Sequence, residues 1–187
     1  MILKTKTLPM SWKKRYDIIR VMTSELGTIA VPFLSVGRYY SGNRQWCAEF
    51  VSWCYYRAGV PLDNGSFISS IADGLEGDWM HRSTIRLRDW FLGEGKYIER
   101  RSDNWFEYMP LPGDFAYIGR AGDTDRKHAA LVEYLDTSGT LHTIEANNAG
   151  RPVGRYSYPL YKINDTDNGK ANGIVLGIGV RDEIKLL

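Results

Sequence analysis

The sequence predicts an α+β domain, with N-terminal helices packed on an antiparallel sheet of about five to six strands. The chain has 187 residues, about the length of one domain, and 43% hydrophobic with 25% charged residues is an ordinary globular composition. Apolar residues recur at helical spacing in the first third, and short runs bounded by turn residues fill the last third. We therefore interpret residues 1–187 as a single domain.

The first helix is predicted over residues 11–26. Ser11 suits the N-cap position, and Gly27 suits the end of the helix. The apolar residues between them recur at helical spacing: Tyr16, Ile19 and Met22. The segment that follows, residues 28–45, contains proline and glycine and is predicted to be an irregular approach loop.

The second helix is predicted from Trp46 to Ala58, within NRQWCAEFVSWCYYRAGV, and Gly59 suits its C-terminal end. One buried stripe is expected at Cys47, Phe50, Val51, Cys54 and Ala58. Seven residues of helix separate the two cysteines by about 10 Å of rise, which is too far for a disulfide between them.

Cys47 lies near the start of this helix, where unpaired N–H groups and the helix dipole favour a thiolate. Cys54 lies two turns further in, where burial raises the pKa of a thiol. Cys47 is thus a candidate nucleophile. The helix alone equally allows a small buried side chain, the usual fate of a free cysteine.

Further along, a turn is predicted at residues 63–66 and short helical pieces around 67–75 and 83–92. Apolar or alternating runs then predict four strands, at residues 114–119, 129–134, 141–147 and 174–180.

A nucleophilic cysteine needs a base, and the chain has three histidines. His128 and His142 lie on two runs joined by DTSG, which is predicted to form a hairpin turn. If residues 136–139 form the loop, Leu135 lies opposite Thr140. In an antiparallel hairpin every directly opposite pair then has residue numbers that sum to 275 (135 + 140).

This register places His128 opposite Asn147, with Glu145 as its diagonal neighbour on the same face. His142 has the other parity and is expected on the opposite face. A carboxylate or amide beside the imidazole would fix its tautomer and stabilise the imidazolium, so His128, Glu145 and Asn147 are candidates for a base and its supporting groups.

The net charge of +2 is too small to indicate nucleic-acid binding. No apolar run reaches the length of a signal peptide or a membrane span, so we expect synthesis in the cytoplasm and no integral membrane segment. The 12 tyrosines and 6 tryptophans suit either a groove for an extended or sugar-like ligand or simply an aromatic core.

Four segments together resemble the CHAP domain (cysteine, histidine-dependent amidohydrolase/peptidase), a relative of the NlpC-type papain-like peptidases. They are WCAEFVSWCYYRAGV, LPGDFAYIG, KHAALVEYLD and LHTIEANNAG, followed by a last strand such as IVLGIGV. The resemblance implies a papain-like fold and a peptidoglycan hydrolase that cuts an amide bond through a cysteine thioester. The protein would be an amidase or endopeptidase of the phage-lysin or antibacterial-effector type, acting at the bacterial cell wall or in the periplasm.

The resemblance also implies roles for individual residues. Cys47 would be the nucleophile, His128 the general base, Glu145 the group that orients His128, and Asn147 a supporting polar residue. The expected substrate-binding residues precede or adjoin the nucleophile: Tyr40, Asn43, Gln45 and Trp46. One of the first three is expected to share the oxyanion with the Cys47 N–H.

Two departures from the family pattern carry expectations of their own. Cys47 and His128 are 81 residues apart (128 − 47), which places an insertion at about residues 63–106, where it would shape specificity. The stretch VGRYYSGNRQ before Cys47 has no carboxylate, so no metal is expected there, and no cofactor is implied. We expect a monomer.

Two other classes of function remain open at this point. One is a thiol amidase or acyltransferase that acts on a soluble substrate. The other is a non-catalytic wall-binding virion module in which the site has lost its activity.

Overall fold

The computed structural model describes residues 12–29, 46–65, 78–100, 102–119, 127–160 and 173–182. Within these residues lie three helices: α1 (Trp12–Ser24), α2 (Cys47–Arg57) and α3 (Thr84–Gly93). The strands follow as β1 (Tyr97–Glu99), β2 (Phe115–Gly119), β3 (Lys127–Leu135), β4 (Thr140–Glu145), β5 (Gly154–Pro159) and β6 (Ile174–Gly179). This is the predicted α+β class, and no helix in the described part of the chain is both long and apolar enough to cross a membrane.

The strands form one antiparallel sheet in the order β1-β6-β2-β3-β4-β5. Side chains alternate across β2, so that Phe115 and Tyr117 join a core shared with the helices, while Ala116 and Ile118 join a second core. Helix α2 packs on β3 and on α1, and α3 packs on β1, β3 and β6. The sheet is therefore covered by helices on the face that carries Phe115.

Helix α1 has a different buried face from the predicted one. Met22 is buried as expected, but Tyr16 is 65% exposed and Arg15 is 1% exposed. Periodicity of apolar residues misses this because the position of Arg15 is filled by a charged side chain. Helix α1 ends at Ser24, two residues before the predicted end, and a turn continues to Gly27, which has a positive φ of 82°. The proposed cap Ser11 lies outside the described residues.

Arg15 is buried because two carboxylates meet its guanidinium. Its Nη1 donates to Asp114 Oδ1 at 3.0 Å, and its Nη2 donates to Asp182 Oδ2 at 2.7 Å. The carbonyl of Pro112 accepts a further hydrogen bond at 2.7 Å. These contacts join α1 to the start of β2 and to the chain just after β6.

Helix α2 begins at Cys47, with Trp46 as the N-cap and Ala58 as the C-cap. Gly59 follows with a φ of 70°, as expected for a residue just beyond a helix. The predicted stripe is buried, but so is every residue from Cys47 to Tyr55, because the helix lies between α1 and the sheet. Both cysteines are free, as the helical spacing predicted.

The β3–β4 hairpin follows the predicted register at one end only. Leu135 pairs with Leu141 rather than with Thr140, so the predicted tip is wrong by one residue. A bulge between Val132 and Tyr134 then shifts the pairing, and Ala130 lies opposite Glu145 with the predicted sum of 275.

Strands β1 and β5 were not predicted individually, and both lie at edges of the sheet. Conversely, β4 ends at Glu145, two residues before the predicted end, because Asn147 adopts a left-handed conformation with a φ of 60°. The helical pieces predicted around residues 67–75 lie outside the described residues, whereas the one at 83–92 is α3.

Candidate active site

Cys47 is the first residue of α2, one position nearer the helix start than predicted. The first hydrogen bond of the helix runs from Phe50 N to Trp46 O, so the N–H of Cys47 has no partner within the helix. The side chain of Cys47 is 1% exposed. A thiolate at this position lies at the positive end of the helix dipole.

His128 is the second residue of β3, and the structure brings its side chain to both Cys47 and Glu145. Its Nε2 lies 2.9 Å from Glu145 Oε2, which makes an ion pair when the ring is protonated. Its side chain also hydrogen-bonds to Cys47. Because Nε2 faces the carboxylate, Nδ1 is the ring nitrogen left for the sulfur.

The thiol and the imidazole shift each other's protonation. Burial raises the pKa of Cys47, but the hydrogen bond and charge of His128, with hydrogen bonds from Thr84 and the Ala129 backbone, outweigh it and lower that pKa. Burial lowers the pKa of His128, but Cys47 and Glu145 outweigh it and raise that pKa to about 10. Each group therefore favours the charged form of the other, a thiolate beside an imidazolium.

Glu145 is fully buried, and both of its oxygens are held by other side chains. Thr143 Oγ1 donates to Oε1 at 2.6 Å, and Asn148 Nδ2 donates to Oε2 at 2.8 Å. Tyr158 also hydrogen-bonds to this carboxylate, and burial with the charge of Glu145 raises the pKa of the Tyr158 phenol. These contacts hold the Glu145 carboxylate in position whether or not His128 is protonated.

The amide that donates to Glu145 belongs to Asn148, the residue after the predicted supporting residue Asn147. Asn147 is half-buried and lies just beyond β4, before the 3-10 turn of residues 148–150. The left-handed backbone at Asn147 breaks the strand alternation, so strand parity could not identify Asn148 as a partner of Glu145. The supporting role of Asn147 stays a prediction.

His142 lies apart from this cluster, as its parity predicted. Its Nε2 lies 2.9 Å from Asp136 Oδ2, and its ring stacks on Tyr134 with centroids 4.2 Å apart. Of the residues predicted to bind substrate, Trp46 is buried as the N-cap of α2, whereas Tyr40, Asn43 and Gln45 lie outside the described residues. Substrate contact at these four positions stays a prediction.

Cys54 is fully buried, and burial with the charge of Glu25 raises the pKa of its thiol. The two cysteines of one helix therefore have opposite protonation tendencies. In the described part of the chain, no three His, Cys, Asp or Glu side chains gather as ligands for a metal ion.

Four residues whose side chains contact Cys47 or Glu145 were not predicted from the sequence: Thr84, Thr143, Asn148 and Tyr158. The parity of β4 could have identified Thr143, which shares a face with Glu145. Nothing in the sequence around Thr84 indicates that its hydroxyl lies 3.3 Å from Cys47 Sγ, because that contact depends on how α3 packs.

The comparison with protein families finds one match relevant to this site. The family model for the CHAP domain matches residues 39–147, which include Cys47, His128 and Glu145. No curated protein matches the chain.

Proposed function

The chain belongs to the CHAP domain family, and on this basis we propose that it hydrolyses an amide bond of bacterial peptidoglycan through a thioester on Cys47. CHAP domains are peptidoglycan-associated amidases and peptidases, generally dependent on a cysteine and a histidine. The observation that supports the proposal is His128, which lies between the Cys47 thiol and the buried Glu145 carboxylate.

In the first step the Cys47 thiolate attacks the carbonyl carbon, and a C–S bond forms. The negative charge moves to the carbonyl oxygen, where the N–H of Cys47, which has no partner within the helix, is a suitable donor. A second donor from Tyr40, Asn43 or Gln45 would complete the oxyanion site. The His128 imidazolium then donates its proton to the leaving nitrogen, the C–N bond breaks, and the thioester remains.

In the second step the neutral imidazole of His128 accepts a proton from water as the water attacks the thioester. The C–S bond breaks, the carboxylic acid leaves, and the thiolate beside the imidazolium is restored. Glu145 keeps the ring in position in both steps and stabilises its charged form. Asn147 would contribute a further polar contact, and no metal or cofactor takes part in this scheme.

We also propose that residues 1–187 act as one catalytic domain. Helix α1, β5 and β6 lie outside the range matched by the family. The support for including them is structural, because β6 lies between β1 and β2 and Arg15 of α1 binds Asp114. On this proposal α3 and β1, within the predicted insertion, belong to the same domain.

The setting we propose is the bacterial cell wall or periplasm, reached as a phage lysin, a virion-associated lysin or an antibacterial effector, in that order of preference. Peptidoglycan would be the only macromolecular partner, and the protein would act as a monomer. The bond cut would be either the muramoyl–alanine amide or a peptide bond of the stem or cross-bridge.

Purified sacculi test this proposal directly. Wild type, Cys47→Ser and the matched control Cys54→Ala are incubated with sacculi, and released fragments are identified by mass spectrometry. We expect release by wild type and Cys54→Ala and none by Cys47→Ser, and the new termini identify the bond cut.

Each other outcome contradicts a separate part of the proposal. Release by Cys47→Ser but not by Cys54→Ala would show that Cys47 is not the nucleophile. Sacculi that bind wild type without releasing fragments would indicate a non-catalytic wall-binding module. Hydrolysis of a small soluble amide by a wild type that leaves sacculi intact would indicate a soluble substrate.

A further inference from the structure

Thr84 lies beside the nucleophile although it belongs to a distant part of the chain. Its Oγ1 is 3.3 Å from Cys47 Sγ, which is within hydrogen-bonding distance for a sulfur atom. The residue is half-buried and is separated from Cys47 by 37 positions. It belongs to the segment 63–106, for which the sequence suggested a role in specificity and none in chemistry.

The local structure around Thr84 holds its hydroxyl in place. Ser83 caps α3, since its side chain accepts a hydrogen bond from Arg86 N at 3.4 Å. Leu87 and Phe91 are buried and fix α3 against the core. Thr84 is the first residue of that helix and is β-branched, so its side chain has few rotamers available.

The direction of the hydrogen bond follows from the charge on the sulfur. A thiolate has no proton to donate, so in the charged pair the hydroxyl of Thr84 must be the donor. A hydrogen bond to a charged group favours the charged form. The contact with Thr84 is indeed among those that lower the pKa of Cys47.

We propose that Thr84 is a further catalytic residue, whose hydroxyl donates a hydrogen bond to the Cys47 thiolate and keeps the nucleophile ionised and aimed. The thiolate then has side-chain partners from two different elements: His128 from β3 and Thr84 from α3. This inference rests on the proposed role of Cys47 as the nucleophile. It makes the segment between the nucleophile helix and the sheet part of the reaction centre.

The test compares Thr84→Val, which removes the donor and keeps the shape, with Thr84→Ser, which keeps the hydroxyl. Ile85→Val is the matched control, because Ile85 is the next residue of α3 and is 47% exposed. The thiol pKa of each protein is read from the ultraviolet absorbance of the thiolate against pH, with Cys47→Ser as the blank. Release of fragments from sacculi is measured over the same pH range.

We expect Thr84→Val to raise the thiol pKa by about one unit. At pH values below the wild-type thiol pKa, the thiolate fraction and the activity should then fall about tenfold. Activity should recover at higher pH, and Thr84→Ser and Ile85→Val should behave like wild type. An unchanged thiol pKa in Thr84→Val would overturn the proposal. So would a loss of activity in Thr84→Val that is equal at every pH, if Thr84→Ser shows the same loss.

The two readouts separate this inference from the proposed function. If the wild-type thiol titrates at its ordinary pKa, the nucleophile assignment fails, and the role of Thr84 fails with it. If the wild-type thiol pKa is low, sacculi stay intact and Thr84→Val still raises that pKa, the inference stands while the substrate is wrong.

Discussion

At Cys47, burial and hydrogen bonding act on the thiol in opposite directions. The sulfur is 1% exposed, which alone would keep it protonated, yet the contacts with His128 and Thr84 favour the thiolate. Cys54, seven residues along the same helix, has burial without such contacts, and its pKa is raised. The partner groups therefore decide which of the two buried thiols favours the thiolate form.

For single residues, the clearest expectation concerns Glu145→Gln. The charge of Glu145 helps to raise the pKa of His128, so its loss should lower that pKa from about 10. A less stable imidazolium should in turn raise the pKa of Cys47. Activity should fall about 10²-fold near neutral pH. Its pH profile should narrow, with the acid limb moving up and the basic limb moving down.

The measurement is the rate of fragment release from sacculi as a function of pH. Glu133→Gln is the matched control, since Glu133 lies on the neighbouring strand β3 and pairs with Arg155 rather than with His128. That variant should keep the wild-type profile. A Glu145→Gln profile of unchanged width would contradict the role given to this carboxylate.

Among the elements, α1 shows how a charged residue can fasten a helix. Arg15 forms an ion pair with Asp114, which is itself fully buried. The Tyr108 hydroxyl also donates a hydrogen bond to Asp114 Oδ2 at 2.5 Å. Burial raises the pKa of Asp114, against the effect of Arg15 and its hydrogen bonds. Removal of the arginine would leave that carboxylate without its counter-charge.

We therefore expect Arg15→Met to lower the free energy of unfolding by about 3–5 kcal/mol. Lys13→Met is the control on the same helix, because Lys13 is 80% exposed in its surface pair with Asp17 and should cost at most about 0.5 kcal/mol. Urea unfolding followed by circular dichroism measures both. Equal stability of the two variants would mean that the buried ion pair contributes nothing net.

The sequence predicted elements well where their pattern was strong and poorly where pairing alone defines them. The continuous helix around Phe50 and the apolar run of β2 were evident. Strand β1 has three residues, and β5 is an edge strand with alternating half-buried and exposed residues, so neither has a strong pattern. The bulge before Tyr134 is a feature of the backbone pairing, and no residue type at that position predicts it.

At the scale of the whole molecule, helix α3 and the sheet approach each other closely at Gly179. A Cβ built there would lie 2.6 Å from Phe91 Cγ of α3 and 2.8 Å from Phe115 Cδ1 of β2. The two rings stack with centroids 5.3 Å apart, so neither can move without disturbing the other. The close approach of α3 to the sheet depends on this missing side chain.

Gly179→Ala should therefore destabilise the domain by about 1–3 kcal/mol through overpacking. Gly93→Ala is the matched control, because a Cβ at Gly93 would meet no atom within 4 Å, and alanine there should be neutral or stabilise by about 0.5 kcal/mol. Thermal unfolding of both variants measures the difference. A Gly179→Ala domain as stable as Gly93→Ala would show that the contact between layers can relax freely.

The candidate site shows the same division between local and global information. The pairing of His128 with Glu145 could be argued from strand parity, because the hairpin is short and both residues belong to it. Thr84 could not, since its position depends on α3 docking against the core through Leu87 and Phe91. Asn148 was missed because the left-handed backbone at Asn147 ends the alternation of side chains between the two faces of the sheet. Strand parity therefore cannot be applied to Asn148.

Because Cys54 is buried, the reactivity of its thiol reports whether the structure around α2 has opened. Its sulfur is 0% exposed on the middle of α2, and its raised pKa keeps it protonated, so a thiol-labelling reagent can modify it only in molecules that have opened around that helix. In a Cys47→Ser background Cys54 is the one thiol left to label, so each labelled molecule has opened at least once. The rate of labelling would then report the opening of α2 from the sheet, with no cysteine introduced by mutation.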